Sequence, residues 1–102
     1  VVLETDEGDR IAEALGDKRA AILKNHGLLT TGGTVDAAVW GFISMDRCCQ
    51  SQLLAESVGQ MERISDDVAE LTRNQVGSEP GMWAMYQPLY DLMLEKDDSF
   101  LN

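Results

Sequence analysis

The chain has 102 residues, 44% of them hydrophobic, so it is long enough for one core and too short for two ordinary domains. Eight Lys and Arg against eighteen Asp and Glu give a formal net charge of -10, which disfavours nucleic acid and membrane partners. No apolar run approaches the roughly 20 residues that cross a bilayer, and the start is acidic, unlike a signal peptide. We therefore expect one cytoplasmic unit spanning residues 1–102.

The first residues predict one short helix after an apolar start. Val1-Val2-Leu3 lacks an initiator Met and a partner segment, which indicates an interrupted strand or linker, so truncation is expected. Asp9 to Leu15 predicts a short helix, because Ile11, Ala14 and Leu15 share one side. Gly16 is placed to end that helix as a left-handed cap.

A β-hairpin is predicted from Ala20 to Thr31. Two short apolar segments, Ile22-Leu23 and Leu28-Leu29, flank the sequence Asn25-His26-Gly27. Gly27 permits a positive φ and Asn25 tolerates left-handed geometry, so the intervening residues favour a tight reversal. The only histidine of the chain, His26, is thus expected at the tip of the hairpin.

A long helix is predicted from Val35 to Val58, with Thr34 as its N-cap and Gly59 as its stop. Its apolar stripe has spacings of three and four residues and comprises Val35, Val39, Phe42, Met45, Cys49 and Leu53. Trp40 and Ile43 widen this stripe, which implies a second buried face against missing structure, the later helices or another subunit.

Adjacent Cys48 and Cys49 point about 100° apart on such a helix, so no disulfide is expected between them. They are predicted to be small buried side chains in a reducing compartment.

Two more helices are predicted in the last third of the chain. Ser65 caps the first, which ends at Gly77, and residues 78–81 are expected to form a loop. The second runs from about Met82 to Lys96 and is expected to kink or divide at Pro88. The acidic residues 95–98 are expected to be a solvated, fraying end.

At the hairpin tip, His26 could be a metal ligand, a proton carrier or a polar residue at a bend, and spacing alone does not rank these. Several segments in chain order, however, resemble the C-terminal half of the class II aldolase/adducin family. They are Ile22-Leu23-Lys24-Asn25-His26-Gly27-Leu28-Leu29-Thr30, Gly32 with Thr34-Val35-Asp36-Ala37-Ala38, Cys49-Gln50-Ser51-Gln52-Leu53-Leu54-Ala55-Glu56, and Tyr86-Gln87-Pro88-Leu89-Tyr90-Asp91.

The resemblance implies a fold and a metal ligand. The complete fold would belong to the α/β class and would be a three-layer α/β/α sandwich around a mainly antiparallel sheet. This segment would be a helix-rich part of it. In the family's enzymes the histidine of the Asn-His-Gly turn completes a divalent-metal site with an upstream His-x-His pair, so His26 would be one ligand. Zinc is the favoured metal, with iron or manganese as alternatives. The His-x-His pair and the acid/base glutamate have no counterpart in this sequence, so its site is incomplete and no catalytic residue is assigned.

Two functions follow from the resemblance. In the first, the chain is the C-terminal part of a metal-dependent lyase that cleaves a carbon-carbon bond in a sugar phosphate or related hydroxy-carbonyl substrate, and is inactive by itself. In the second, it is a non-catalytic interaction or oligomerisation module like the adducin head. The family also includes decarboxylases, epimerases and iron-dependent oxygenases. Expected partners are the missing N-terminal half or other subunits, in a homo-oligomer that is a tetramer by resemblance.

Overall fold

A computed structural model describes residues 5–102 as four helices, a two-stranded sheet and a terminal 3₁₀ turn. The expectation for residues 1–3 lies outside this described range. In chain order the elements are α1 (Thr5–Leu15), β1 (Ala20–Leu23), β2 (Gly27–Thr30), α2 (Val35–Glu56), α3 (Asp66–Val76), α4 (Glu79–Lys96) and the 3₁₀ turn (Ser99–Leu101). This helix-rich unit with a small antiparallel sheet confirms the predicted class. No helix within the described residues is long and apolar enough to cross a membrane.

Helix α1 begins four residues earlier than predicted. Its first turn carries Asp6 and Glu7, whose negative charges complement the positive end of the helix dipole. Arg10 pairs with Glu7 one turn away. The predicted cap is confirmed, because Gly16 has a φ of 55° and its N–H donates to the Ala12 carbonyl at 2.9 Å.

The predicted hairpin is also confirmed. Strands β1 and β2 pair antiparallel, with Ala20 opposite Thr30 and Leu23 opposite Gly27. The Thr30 hydroxyl at the base of the hairpin donates to the Ala38 carbonyl of α2 at 2.8 Å. This bond joins β2 to the first turns of α2, so the long helix packs against the hairpin as expected.

Helix α2 begins as predicted and ends two residues early. The Thr34 hydroxyl accepts from the Ala37 N–H at 3.1 Å. At the other end the Ser57 N–H still donates to the Leu53 carbonyl four residues back, but the Val58 N–H donates to the Ala55 carbonyl only three residues back, at 3.2 Å, so the last turn tightens and the helix ends at Glu56. The predicted burial of the cysteines is wrong, because Cys48 is exposed and Cys49 half-buried.

The loop predicted for residues 78–81 is wrong, because α4 already begins at Glu79. The Ser78 hydroxyl accepts from the Gly81 N–H at 3.1 Å and caps the helix. Pro80 fits the first turn, where its missing N–H would have no partner in the helix. Nor does Pro88 divide the helix, which continues to Lys96 with Met82, Leu89 and Tyr90 buried or half-buried.

The end of the chain is exposed but ordered into a turn, in contrast to the expected fraying. The Asp97 carboxylate accepts from the Ser99 N–H at 2.9 Å, and hydrogen bonds from the Ser99 side chain and backbone lower the pKa of Asp97 below its usual value. Phe100 then packs edge-on against Tyr90, with 5.9 Å between the ring centroids.

A contact formed by Glu79 ties α4 to the base of the hairpin. One oxygen of its carboxylate accepts from the Gly33 N–H at 3.1 Å, just after β2. The other lies 3.8 Å from Nε of Arg19, just before β1. Arg19 also donates to the Gly77 carbonyl and, at 3.2 Å, to Sδ of Met82. We call Arg19, Gly33 and Glu79 the hairpin clamp.

The core of the described residues is very small. Only Ala37 and Met82 are buried, where α2 faces α4. Helix α3 packs closely against no other described element. The radius of gyration is 16.3 Å, compared with about 13 Å for a compact chain of 100 residues. The predicted second apolar face of α2 is therefore uncovered in part, with Phe42 43% exposed and Leu53 69% exposed.

Gly32 offers a direct test of how closely α2 approaches the hairpin. A Cβ at this position would lie 2.8 Å from the Ala38 nitrogen and 3.1 Å from Cβ of Ala37. Backbone would have to move, so Gly32→Ala should lower the free energy of unfolding by about 1–3 kcal/mol, measured by urea denaturation. Gly59→Ala is the matched control, because nothing lies within 4 Å of its added Cβ and its effect should stay within about 0.5 kcal/mol. Equal unfolding midpoints for the two variants would contradict this packing.

Candidate metal-binding turn

The tip of the hairpin is a tight turn of three residues, 24–26, between β1 and β2. The His26 N–H donates to the Leu23 carbonyl at 3.0 Å, which closes the turn. Asn25 has a φ of 63° and Gly27 a φ of 135°, so both residues take the positive-φ roles expected for them. Local backbone chemistry therefore fixes the position of His26.

The His26 side chain is exposed at this tip, next to the exposed Lys24 and Asn25. Its backbone N–H is used by the turn, and its imidazole makes no hydrogen bond with another described residue. A neutral imidazole nitrogen with a free lone pair is a good ligand for a divalent cation. The turn thus presents one potential metal ligand to its surroundings.

Residues 5–102 do not contain the rest of a metal site. No group of three His, Cys, Asp or Glu side chains in this range is placed to hold a metal ion. A catalytic zinc ordinarily takes three protein ligands and an open position. The described residues therefore offer one metal ligand, His26, and the remaining ligands would have to come from outside them.

Two cavities formed by residues of the described range lie away from the turn. The larger, about 1020 Å³, is open and lies along the connection between α2 and α3, where Glu56, Met61 and Ile64 contribute to its walls. The smaller, about 340 Å³, lies where α3 meets α4. Neither cavity is lined by a residue of the hairpin tip, so the sequence patterns around His26 gave no indication of them.

Sequence reasoning also missed the hairpin clamp. Arg19 and Glu79 are separated by 60 positions, and no periodicity or motif connects them. Residue 79 was assigned to a loop, where a carboxylate has no predictable partner. The only local signal was Ser78 followed by Glu79 and Pro80, an N-cap with a first-turn proline.

Comparison with known proteins identifies the family. The sequence profile of the Class II Aldolase and Adducin N-terminal domain matches residues 2–53, which include the whole hairpin and most of α2. The chain belongs to this family. The resemblance carried by the Asn-His-Gly turn and the segments around it is thereby confirmed.

Two curated relatives from Streptomyces match 95% of this chain. "Decarboxylase NovR" of Streptomyces niveus is 48% identical over 97 residues, and the chain covers 36% of its length. The "4-hydroxy-3-prenylphenylpyruvate oxygenase/4-hydroxy-3-prenylbenzoate synthase" of Streptomyces roseochromogenus subsp. oscitans is 47% identical over 97 residues, and the chain covers 35% of it. The chain therefore spans just over a third of the length of these relatives.

A solved structure has the same fold over nearly the whole chain. The L-fuculose 1-phosphate aldolase from Glaciozyma antarctica PI12 superposes with a TM-score of 0.83 at 38% sequence identity. The match covers 93% of this chain and 37% of that one. The described elements therefore form part of a class II aldolase fold.

Two variants test whether the backbone conformation or the His26 side chain stabilises the turn. Gly27→Ala places a Cβ at a φ of 135° and should lower the free energy of unfolding by more than about 1 kcal/mol, although nothing lies within 4 Å of the added atom. His26→Ala keeps the backbone hydrogen bond to Leu23, so it should change the free energy of unfolding by less than about 0.5 kcal/mol. Urea denaturation measures both. The reverse order of effects would mean that the imidazole, and not the backbone, holds the turn.

Proposed function

We propose that this chain is the C-terminal part of a divalent-metal-dependent enzyme of the lyase type that cleaves a carbon-carbon bond, and that His26 is one of its metal ligands. The observation that carries the proposal is the exposed imidazole on a backbone-fixed turn, within the segment that the family profile matches. The chain covers little more than a third of its relatives, which supports placing the other ligands in residues outside it.

The metal would supply Lewis-acid polarisation of a substrate carbonyl, and this chain would supply one ligand in a fixed position. The Leu23 carbonyl and the positive φ of Asn25 hold the turn, so His26 enters the site with little freedom of its backbone. Zinc suits an imidazole ligand well, and iron and manganese remain alternatives within the same proposal. No residue of this chain is proposed as the acid/base.

Two substrate classes are supported by the relatives. The sugar phosphate class is supported by the fold match to the L-fuculose 1-phosphate aldolase. The hydroxyphenylpyruvate class is supported by the identity to the 4-hydroxy-3-prenylphenylpyruvate oxygenase, which is 47% against 38% for the aldolase. In the sugar phosphate class, polarisation of the carbonyl would stabilise the enediolate left by carbon-carbon cleavage. An oxygenase also consumes dioxygen, so the two substrate classes would require different chemistry at the metal.

The alternative proposal is a non-catalytic assembly module, similar to the adducin head. It is supported by the exposed apolar side chains of α2 and α3, such as Leu53, Leu54 and Leu71, since clustered exposed apolar side chains are typical of an interaction surface. A homo-oligomer, by resemblance a tetramer, is proposed under either function, and sedimentation equilibrium would measure it. A compact monomer with Trp40, Phe42 and Ile43 covered from within would remove the reason for it.

The lyase proposal predicts that His26 controls metal content and turnover in the protein that contains the upstream residues. His26→Ala should lower bound metal and activity by more than about 100-fold. Loss of a residue that only hydrogen-bonds to a metal ligand already costs about 10- to 100-fold, and loss of the ligand itself should cost more. Metal content is measured by mass spectrometry, and turnover is assayed separately with L-fuculose 1-phosphate and with 4-hydroxy-3-prenylphenylpyruvate. The assays also distinguish the two substrate classes.

Lys24→Ala is the matched control, because Lys24 is an exposed neighbour on the same turn and an ammonium group is not a metal ligand. It should leave metal content unchanged. Full metal content in the His26→Ala protein would refute the ligand assignment. A folded protein with no turnover of either substrate and no bound metal would favour the assembly module.

A further inference from the structure

The smaller cavity, about 340 Å³, lies at the junction of α3 and α4, beside the residue that precedes β1. Its walls are formed by Arg19, Arg73, Asn74, Gly77 and Ser78. Its volume is at the lower end of the range for small-molecule sites. The cavity lies beside the base of the hairpin, whereas His26 is at the tip, so it is separate from the proposed metal site.

Two guanidinium groups line this cavity in a chain whose net charge is -10. Arg73 has no carboxylate within 4.0 Å among the described residues and makes no side-chain hydrogen bond there, although the chain has eighteen acidic residues. Arg19 is held in place by the Gly77 carbonyl, Sδ of Met82 and the Glu79 carboxylate. The cavity therefore combines one anchored cation with one that has no partner.

The remaining walls carry neutral donors. The side-chain amide of Asn74 has no hydrogen-bond partner among residues 5–102, and the Ser78 hydroxyl accepts from the Gly81 N–H but is free to donate its own hydrogen. No carboxylate lines the cavity, although the Glu79 carboxylate lies 3.8 Å from Nε of Arg19, so Arg73 carries the unpaired positive charge. Positive charge, planar guanidinium donors and neutral donors around a small volume are the combination that recognises a tetrahedral oxyanion.

We propose that this cavity is a phosphate-binding site, which takes inorganic phosphate or the phosphate group of a small phosphomonoester. Arg73 supplies the free guanidinium, Arg19 the positioned one, and Asn74 and Ser78 the neutral hydrogen bonds. The net charge of -10 repels anions at long range, so binding has to come from these local donors. The proposal is independent of the proposed lyase function.

Nuclear magnetic resonance of the ¹⁵N-labelled 102-residue chain tests the site. Inorganic phosphate and glycerol 1-phosphate are titrated separately, and sodium chloride at matched ionic strength is the reference. We expect saturable shifts of the Asn74, Gly77 and Ser78 amide signals with at least one of the two phosphates and none with chloride. The relative affinities decide between the free anion and the phosphomonoester.

Arg73→Ala should weaken phosphate binding at least about tenfold, because a charge-assisted bidentate contact is lost. Arg73 is exposed in the last turn of α3, so the fold should persist, and circular dichroism checks this. Arg47→Ala is the control: this exposed arginine of α2 lines neither cavity, and its removal changes the net charge equally. Its binding should match that of the unaltered chain.

Three results would overturn the proposal. The first is the absence of saturable shifts at the cavity with either phosphate, and the second is an equal response to chloride, which would indicate screening only. The third is an equal loss of affinity in the Arg73→Ala and Arg47→Ala variants, which would assign the effect to net charge. None of these results would bear on His26 or on metal binding.

Discussion

The carboxylate of Glu79 makes the contact on which the arrangement of the hairpin depends. It reaches the Gly33 N–H after β2 and the Arg19 guanidinium before β1, so one side chain of α4 holds both ends of the hairpin. Arg19 extends the contact to the Gly77 carbonyl and to Met82, one of only two buried residues among those described. Because a two-stranded hairpin alone is marginal in water, this clamp and the packing of α2 give the turn its fixed base.

The two ends of the hairpin have different surroundings. At the tip, backbone geometry alone fixes the turn that carries His26, and the imidazole is left free to serve as a ligand. At the base, Arg19 contributes both to the clamp and to the wall of the α3–α4 cavity. Around both ends the apolar surface is large and the core small, which agrees with a chain that covers just over a third of its relatives.

The features that depend only on residues close in sequence were predicted correctly. The Asn-His-Gly turn, the Gly16 cap and the Thr34 and Ser65 N-caps each follow from a residue's own conformational preference or hydrogen bonding within one turn. The start of α4 was missed because a proline and two glycines near Ser78 outweighed the capping serine, although a first-turn proline suits a helix. The clamp and the cavity were not predictable, since Arg19 is brought to the segment 73–79 only by tertiary packing. His26 was identified as a candidate ligand only through its resemblance to a family motif.

We propose that His26 supplies one metal ligand and that the other ligands lie outside residues 5–102. Zinc titration by calorimetry tests it most directly, with the 102-residue chain and a protein that carries the upstream residues compared at the same pH. The account predicts weak binding by the short chain, since a single imidazole holds zinc poorly, and tight binding by the longer protein that His26→Ala abolishes. Tight, His26-dependent binding by the short chain alone would contradict the account, because the other ligands would then lie within these 102 residues.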